Sequence, residues 1–334
     1  MLSDVILRVG GGGTPPEESE RLFFNDGFMY NLDTREFETG WDAVDGRGRW
    51  SPDGSRLAVW FNTSPKFNVV DVATKTLETG WPEITTGSVV GYINDLAWSP
   101  NGTRIALALR DIEPYFRVIN TSTKGYESGW PVIDRECTNV AWSPDGSRLV
   151  VLHEYSPYMR VINTSTKTIE SGWPSGLFQP RSLATDPLGS RFAVAAQSVN
   201  DSFAVFDFST KSRDTSWPAV VSGNSSAVAW SVDGSLLAVQ AYENPVLRVY
   251  DTTTKERVIS RNHSAGVYGH LAFSAGSRFL LFGYRDYLYW INLSTKNDDL
   301  TWPAQGGSVI RSPAFSPLPA NSPWVGTGNS HEGG

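Results

Sequence analysis

The side chains best suited to chemistry are scattered along this chain. His153, His263, His270 and His331 are its four histidines. None has the close helical spacing that sets two imidazoles on one metal ion, so each reads as a loop or surface residue. Cys137 is the single cysteine, which excludes an internal disulfide framework and a multi-cysteine metal site. Asp53, Asp145 and Asp233 each precede a glycine. They lack the denser set of oxygen ligands that calcium requires and read as turn residues. No Gly-x-Ser-x-Gly elbow occurs. The run Gly10-Gly11-Gly12-Gly13 is followed by neither Lys-Ser/Thr nor a helical pattern, so it reads as a hinge and not a phosphate loop. A carboxylate pair is the remaining catalytic option, with Asp95, Glu136 and Asp201 as candidates, but no spacing pairs them. The chain is therefore read as non-enzymatic, with no catalytic residue, cofactor or metal ion assigned.

Composition narrows the class. In 334 residues, 28 are Lys or Arg and 35 are Asp or Glu, a net charge of −7. A nucleic-acid-binding chain would carry a basic surplus. Charged residues make up 19%, below the usual ~25%, and there are 13 tryptophans, so neither disorder nor a coiled coil fits. No apolar run approaches the ~20 residues that span a bilayer. The start, MLSDVILRVGGGG, has neither the basic beginning nor the long apolar centre of a secretory signal.

The elements that must position any site come from a repeat. An apolar strand, a Ser-Pro-Asp-Gly-type turn and a second apolar strand recur about every 44 residues. Examples are RWSPDGSRLAVW from Arg49, LAWSPNGTRIALAL from Leu96 and VAWSPDGSRLVVL from Val140, with a degenerate last copy at Pro313. Between them lies a second signature: a strand ending in Asp or Asn, a Ser/Thr-Thr-Lys turn, and a short strand ending in Gly-Trp-Pro, as in FRVINTSTKGYESGWP. Asp-Gly and Asn-Gly are expected to supply positive φ to a tight hairpin. The terminal Asp or Asn can bind its own turn backbone two residues on. The second strands (Ile105 to Leu109, Leu149 to Leu152) are apolar without alternation, so both their faces must be covered. The fourth strand is expected to alternate, with Leu77, Thr79 and Trp81 on one face, and to end at Pro82.

Four strands per repeat, with inner strands covered on both faces, make a propeller blade. The predicted fold is all-β: a seven-bladed β-propeller over residues 19–328, with a flexible arm at 1–18 and a tail at 329–334. The chain begins with the second signature and ends with the first. The last blade is therefore expected to take its two inner strands from the C-terminal segment and its two outer ones from Phe28–Leu32 and Glu36–Trp41.

The repeat resembles those of WD-repeat propellers and their Ser-Pro-Asp-Gly relatives, including the Tol-type periplasmic propellers. The Trp-Asp dipeptide is mostly Val-Asp, Ile-Asn or Tyr-Asp here, and the Gly-His start survives only as Gly269-His270. The His–Ser–Asp–Trp network of WD blades therefore does not carry over. The Ser-Thr-Lys turn with a Gly-Trp-Pro strand is similar to propeller repeats in structural proteins of tailed bacteriophages. That resemblance implies a virion protein on tail or capsid, assembled in the host cytoplasm and contacting a host-surface protein or glycan. The alternatives are a cytoplasmic WD-like or Tol-type scaffold and a carboxylate-dependent carbohydrate-active propeller.

Two surfaces follow. The first-to-second and third-to-fourth turns share one face, where Arg56, Arg104, Arg148, Lys75, Lys124 and Lys167 recur, predicting a basic face and an acidic remainder. The second-to-third loops differ from blade to blade and are rich in tyrosine, which supplies rigid amphipathic contact area. Tyr115, Tyr155, Tyr158, Tyr242, Tyr284 and Tyr287 are the candidate partner-binding residues. The arm adds Val5, Ile6 and Leu7, a short strand that could pair with the sheet edge of another virion protein. Neither nucleic acid nor membrane is an expected partner.

Overall fold

A computed structural model describes residues 21–23, 29–31, 36–42, 47–60, 67–84, 92–174, 179–197, 202–218, 224–262, 270–274, 278–284, 287–298 and 327–328. All its regular elements are strands, arranged as successive antiparallel sheets in chain order. Sheet 1 has three strands, Arg21–Phe23, Met29–Asn31 and Glu36–Glu38. Six further sheets each contain four consecutive strands. Their first strands are Arg47–Trp50 (sheet 2), Tyr92–Trp98 (sheet 3), Cys137–Trp142 (sheet 4), Pro180–Thr185 (sheet 5), Ser225–Trp230 (sheet 6) and His270–Phe273 (sheet 7). Thr327–Gly328 pairs with Ser182–Leu183 and adds a fifth strand to sheet 5.

The core lies between successive sheets. Ile105, Leu107 and Leu109 of the second strand of sheet 3 pack with Phe67 and Val69 of sheet 2. The intervening Ala106 and Ala108 pack with Trp142 and Leu149 of sheet 4. The continuous apolar run is thus divided between two interfaces, as burial on both faces requires. Equivalent clusters join every neighbouring pair from sheet 1 to sheet 7. First strands also carry a repeated bulge, at Ile93/Asp95, Cys137/Asn139, Pro180/Ser182 and Ser225/Ala227. A bulge re-aims the side chain beside it. Here Asp95 and Ser182 turn to accept the backbone N–H of Val140 and Val228 in the next sheet, at 3.3 and 3.2 Å.

Three expectations need correction. In the inner turn only the glycine takes positive φ, for example Gly54 at 65° and Gly146 at 71°. The aspartate works through its carboxylate instead: Ser51 Oγ donates to Asp53 at 2.6 Å, and Ser55 N–H donates to it at 3.0 Å. Fourth strands are shorter than predicted. In sheet 2 the strand is Thr76–Leu77, and Trp81 lies beyond it because Gly80, at φ 86°, turns the chain out of the extended form. Finally, the second strand of sheet 1 does not come from the C-terminal segment. Arg21–Phe23 fills the position beside Met29–Asn31, and the fully buried Phe23 fits it to the core shared with Trp50 and Leu57. The arm at 1–18 and the tail at 329–334 lie outside the described residues, as does the repeat copy at Pro313.

Candidate binding surface

The two turn families have different fates. The Asp or Asn ending each third strand closes its turn as expected: Asn120 Oδ1 accepts from Ser122 and Thr123 N–H at 3.0 and 3.1 Å. The turn lysines Lys75, Lys124, Lys167, Lys211 and Lys255 all have left-handed backbones, with φ from 53 to 61°. This region disfavours a residue with a Cβ, and the reach of the side chain accounts for the choice. Lys167 Nζ donates to Ser128 O at 2.8 Å, sits 3.2 Å from Glu127 and lies 5.3 Å from the centre of the Trp130 ring, all in the preceding sheet unit. Lys124 does the same with Thr79, Glu78 and Trp81. Lys75 repeats the contacts with Thr39, Glu38 and Trp41.

The carboxylate in this clamp is shared within its own sheet. Glu127 accepts from Arg104 Nε at 2.9 Å and from Trp130 Nε1 at 3.1 Å. These donors hold the Glu127 carboxyl at about 2, well below its ordinary 4.5, against the opposing effect of burial. The Lys and Arg expected to form a basic face are therefore largely paired, the lysines with the preceding blade and the arginines within their own. We expect Glu127→Gln to lower stability by about 1–2 kcal/mol at pH 7, the partial exposure of Arg104 and Lys167 reducing the effect. The difference from wild type should vanish as pH falls from 4.5 towards 2, because protonation then removes the same charge. Urea titrations at pH 7 and pH 3 check both statements.

The second-to-third loops share a base and differ at their tips. Leu109 N–H donates to Tyr115 O, His153 to Tyr158 O, Ala196 to Ser202 O and Ala241 to Val246 O, each at 2.8 Å. Glu113–Pro114, Ser156–Pro157 and Asn244–Pro245 in these loops are cis. Tyr155 and Tyr242 stand out at 58% and 38% exposure. Tyr115 and Tyr158 are half-buried, packed against the cores of sheets 3/4 and 4/5. Tyr284 and Tyr287 pair across the second-to-third turn of sheet 7; their side chains lie outside the described residues, as do Val5, Ile6, Leu7 and Asp201.

Beside Tyr115 the loop surface is acidic. Arg110 Nε lies 3.6 Å from Asp111 and 3.9 Å from Glu136. Burial, Asp111 and Glu154 push the Glu136 carboxyl up, with Arg110 opposing them. Asp95, the other described carboxylate considered for catalysis, is occupied elsewhere. It accepts from Arg49 Nη2 at 2.8 Å, Leu96 N–H at 3.0 Å and Val140 N–H at 3.3 Å, tying sheets 2, 3 and 4 together.

His153 is neither a loop nor a surface residue. It is fully buried at the end of a strand, with Nδ1 3.8 Å from Cys137 Sγ. Burial is the main cause holding its imidazole down at about 4, and burial pushes the Cys137 thiol up. Both are uncharged at neutral pH, so this pair is packed structure and not an activated nucleophile. Sequence reasoning missed it because the HEY segment after the strand looks polar. Among the described residues, no group of three or more His, Cys, Asp or Glu side chains could hold a metal ion.

No family model and no curated protein sequence matches this chain. Among solved structures, 1533 chains do. One is the hydrazine synthase of Kuenenia stuttgartiensis, with 17% identity over 75% of this chain and 78% of that one, and a TM-score of 0.60. The fold is propeller-like. At that identity the likeness concerns the fold alone.

Proposed function

We propose that this chain is a non-enzymatic binding and assembly module, a seven-bladed propeller working as a structural protein of a bacteriophage particle. In this reading the C-terminal repeat copy at Pro313 completes the blade that holds sheet 1 and closes the ring. The arm with Val5, Ile6 and Leu7 pairs with another virion protein on tail or capsid. The second-to-third loops meet a protein or glycan of the host surface.

One contrast supports the reading most. The turns of one face are tied into blade-to-blade clamps, while the loops of the other rest on one common hydrogen bond and carry different exposed tips, Tyr155 and Tyr242 among them. Variable loops on a rigid scaffold are where binding residues concentrate. Mass spectrometry of gradient-purified particles from the source culture should find the chain at stoichiometric levels; recovery only as free protein overturns the virion assignment. Tyr155→Ala with Tyr242→Ala should change stability by no more than about 0.5 kcal/mol per site, yet reduce attachment of the particle to host cells at least tenfold. Unchanged attachment overturns the loop assignment.

A further inference from the structure

Arginine occupies one position in the third strand of three sheets. Arg117 of sheet 3 donates to Glu113 O at 2.9 Å and lies over the Tyr126 ring. Arg160 of sheet 4 lies 3.4 Å from the Asp134 carboxylate. The third, Arg248, is the most buried, at 5% exposure, and its Nη1 has no hydrogen-bond partner. A buried N–H without an acceptor is costly, and proteins ordinarily pair it.

The surroundings of Arg248 are those of a ligand site. It shares one face of sheet 6 with its partner Ser260 and with Tyr250, two residues on, and Arg257 lies opposite Tyr250 across a bulge in the fourth strand. Tyr250 stacks on Phe203 at 5.8 Å and meets Trp217 edge-on at 6.2 Å, which places this face in the gap towards sheet 5. Arg257 is exposed at the margin. Burial and the field of Arg257 push the Arg248 guanidinium down, with Tyr250 and Glu243 opposing them. Two guanidiniums on adjacent strands beside an aromatic cluster form a set of several donors, which suits an oxyanion with several oxygens.

We propose that Arg248 and Arg257, with the Ser260 hydroxyl, form a binding site for a tetrahedral oxyanion of the phosphate type in the outer gap between sheets 5 and 6. The ligand supplies the acceptor that the fold withholds from Arg248 Nη1, and binding stabilises the sheet 5/6 interface by mass action. This site does not depend on the virion reading. Arg248, Arg257 and Ser260 all lie in strands and not in the second-to-third loop tips.

The test is a thermal unfolding series on the full chain in a phosphate-free, non-coordinating buffer, with ionic strength held constant by sodium chloride. Inorganic phosphate at 10 mM should raise Tm by about 2–5 °C. Sulfate should act in the same direction, and acetate should have little effect. Arg248→Met should abolish the phosphate response while remaining at least as stable as wild type in phosphate-free buffer, because the substitution removes a buried charge. Arg257→Gln, on the exposed margin, should weaken phosphate binding at least fivefold by titration calorimetry without altering the fold. The proposal is overturned by equal shifts with phosphate and acetate, by no shift with any anion, or by an undiminished shift in Arg248→Met. It is also overturned if Arg248→Met unfolds in phosphate-free buffer and Arg257→Gln binds phosphate as wild type does.

Discussion

Replacing Asp95 with leucine is expected to lower stability by about 3–5 kcal/mol, the cost of removing one partner from a buried ion pair. Asp95 is 4% exposed, and the side chain of Arg49 is 11% exposed. The loss leaves that guanidinium without its carboxylate and the Val140 N–H without its acceptor. The double variant Arg49→Met with Asp95→Leu should recover most of the loss, since a buried pair replaced by apolar residues of similar volume is often nearly neutral. Urea unfolding of the four members of this cycle measures the coupling directly. If the single variant loses less than 1 kcal/mol, Asp95 is not the connector between sheets 2, 3 and 4 described here.

Mild acid should loosen the protein before the carboxylates of its blade-to-blade clamps begin to protonate. The His153 imidazole sits at about 4 in the folded chain, against 6.5 ordinarily. Between those values the unfolded chain binds a proton that the folded chain refuses, so stability rises with pH across this window. The contribution is complete above 6.5 and is lost as pH falls towards 4, by about 3 kcal/mol in total. The lowered carboxylates act later: Glu127 and Asp214, each at about 2, titrate out only below their ordinary values of 4.5 and 3.8. A fall in the urea midpoint between pH 7 and pH 5 is thus the histidine's signature, and His153→Leu should flatten it. An equal slope in His153→Leu would assign the acid sensitivity to another group.

The legible part of this molecule was its repeat. Asn-Gly and Asp-Gly turns between apolar runs place the inner hairpins, and the unalternating Ile105–Leu109 run correctly demands cover on both faces. Trp98 and Trp142 also fall where the pattern puts them, each indole donating to a carbonyl in the preceding sheet at 2.9 and 3.1 Å. Less legible were residues whose role depends on the neighbouring blade. A lysine in a polar turn looks solvated unless its left-handed backbone and its reach to the sheet before are known. Arg21–Phe23 carries no turn signature and joins sheet 1 through Phe23 in the core and through the Arg21–Glu38 ion pair. His153 is followed by polar residues, so the sequence assigns it to a loop although the bulged first strand covers it. Among the proposed contact tyrosines, loop identity does not separate the outward Tyr155 and Tyr242 from the packed Tyr115 and Tyr158, because only the path of each loop above its common base decides that.

The clamps also give the chain a direction. Each lysine reaches back to the sheet made before it: Lys75 to Glu38, Lys124 to Glu78, Lys167 to Glu127, Lys211 to Glu170 and Lys255 to Asp214. A newly made blade therefore completes its predecessor and waits for its successor. Shortening the row from its late end leaves a part-buried carboxylate with one of its two cations gone, Glu127 for example keeping Arg104 but losing Lys167, while shortening it from the early end leaves a lysine that can swing into water. The growing end of the row is its weak end, and synthesis from N- to C-terminus repairs that weakness one blade at a time.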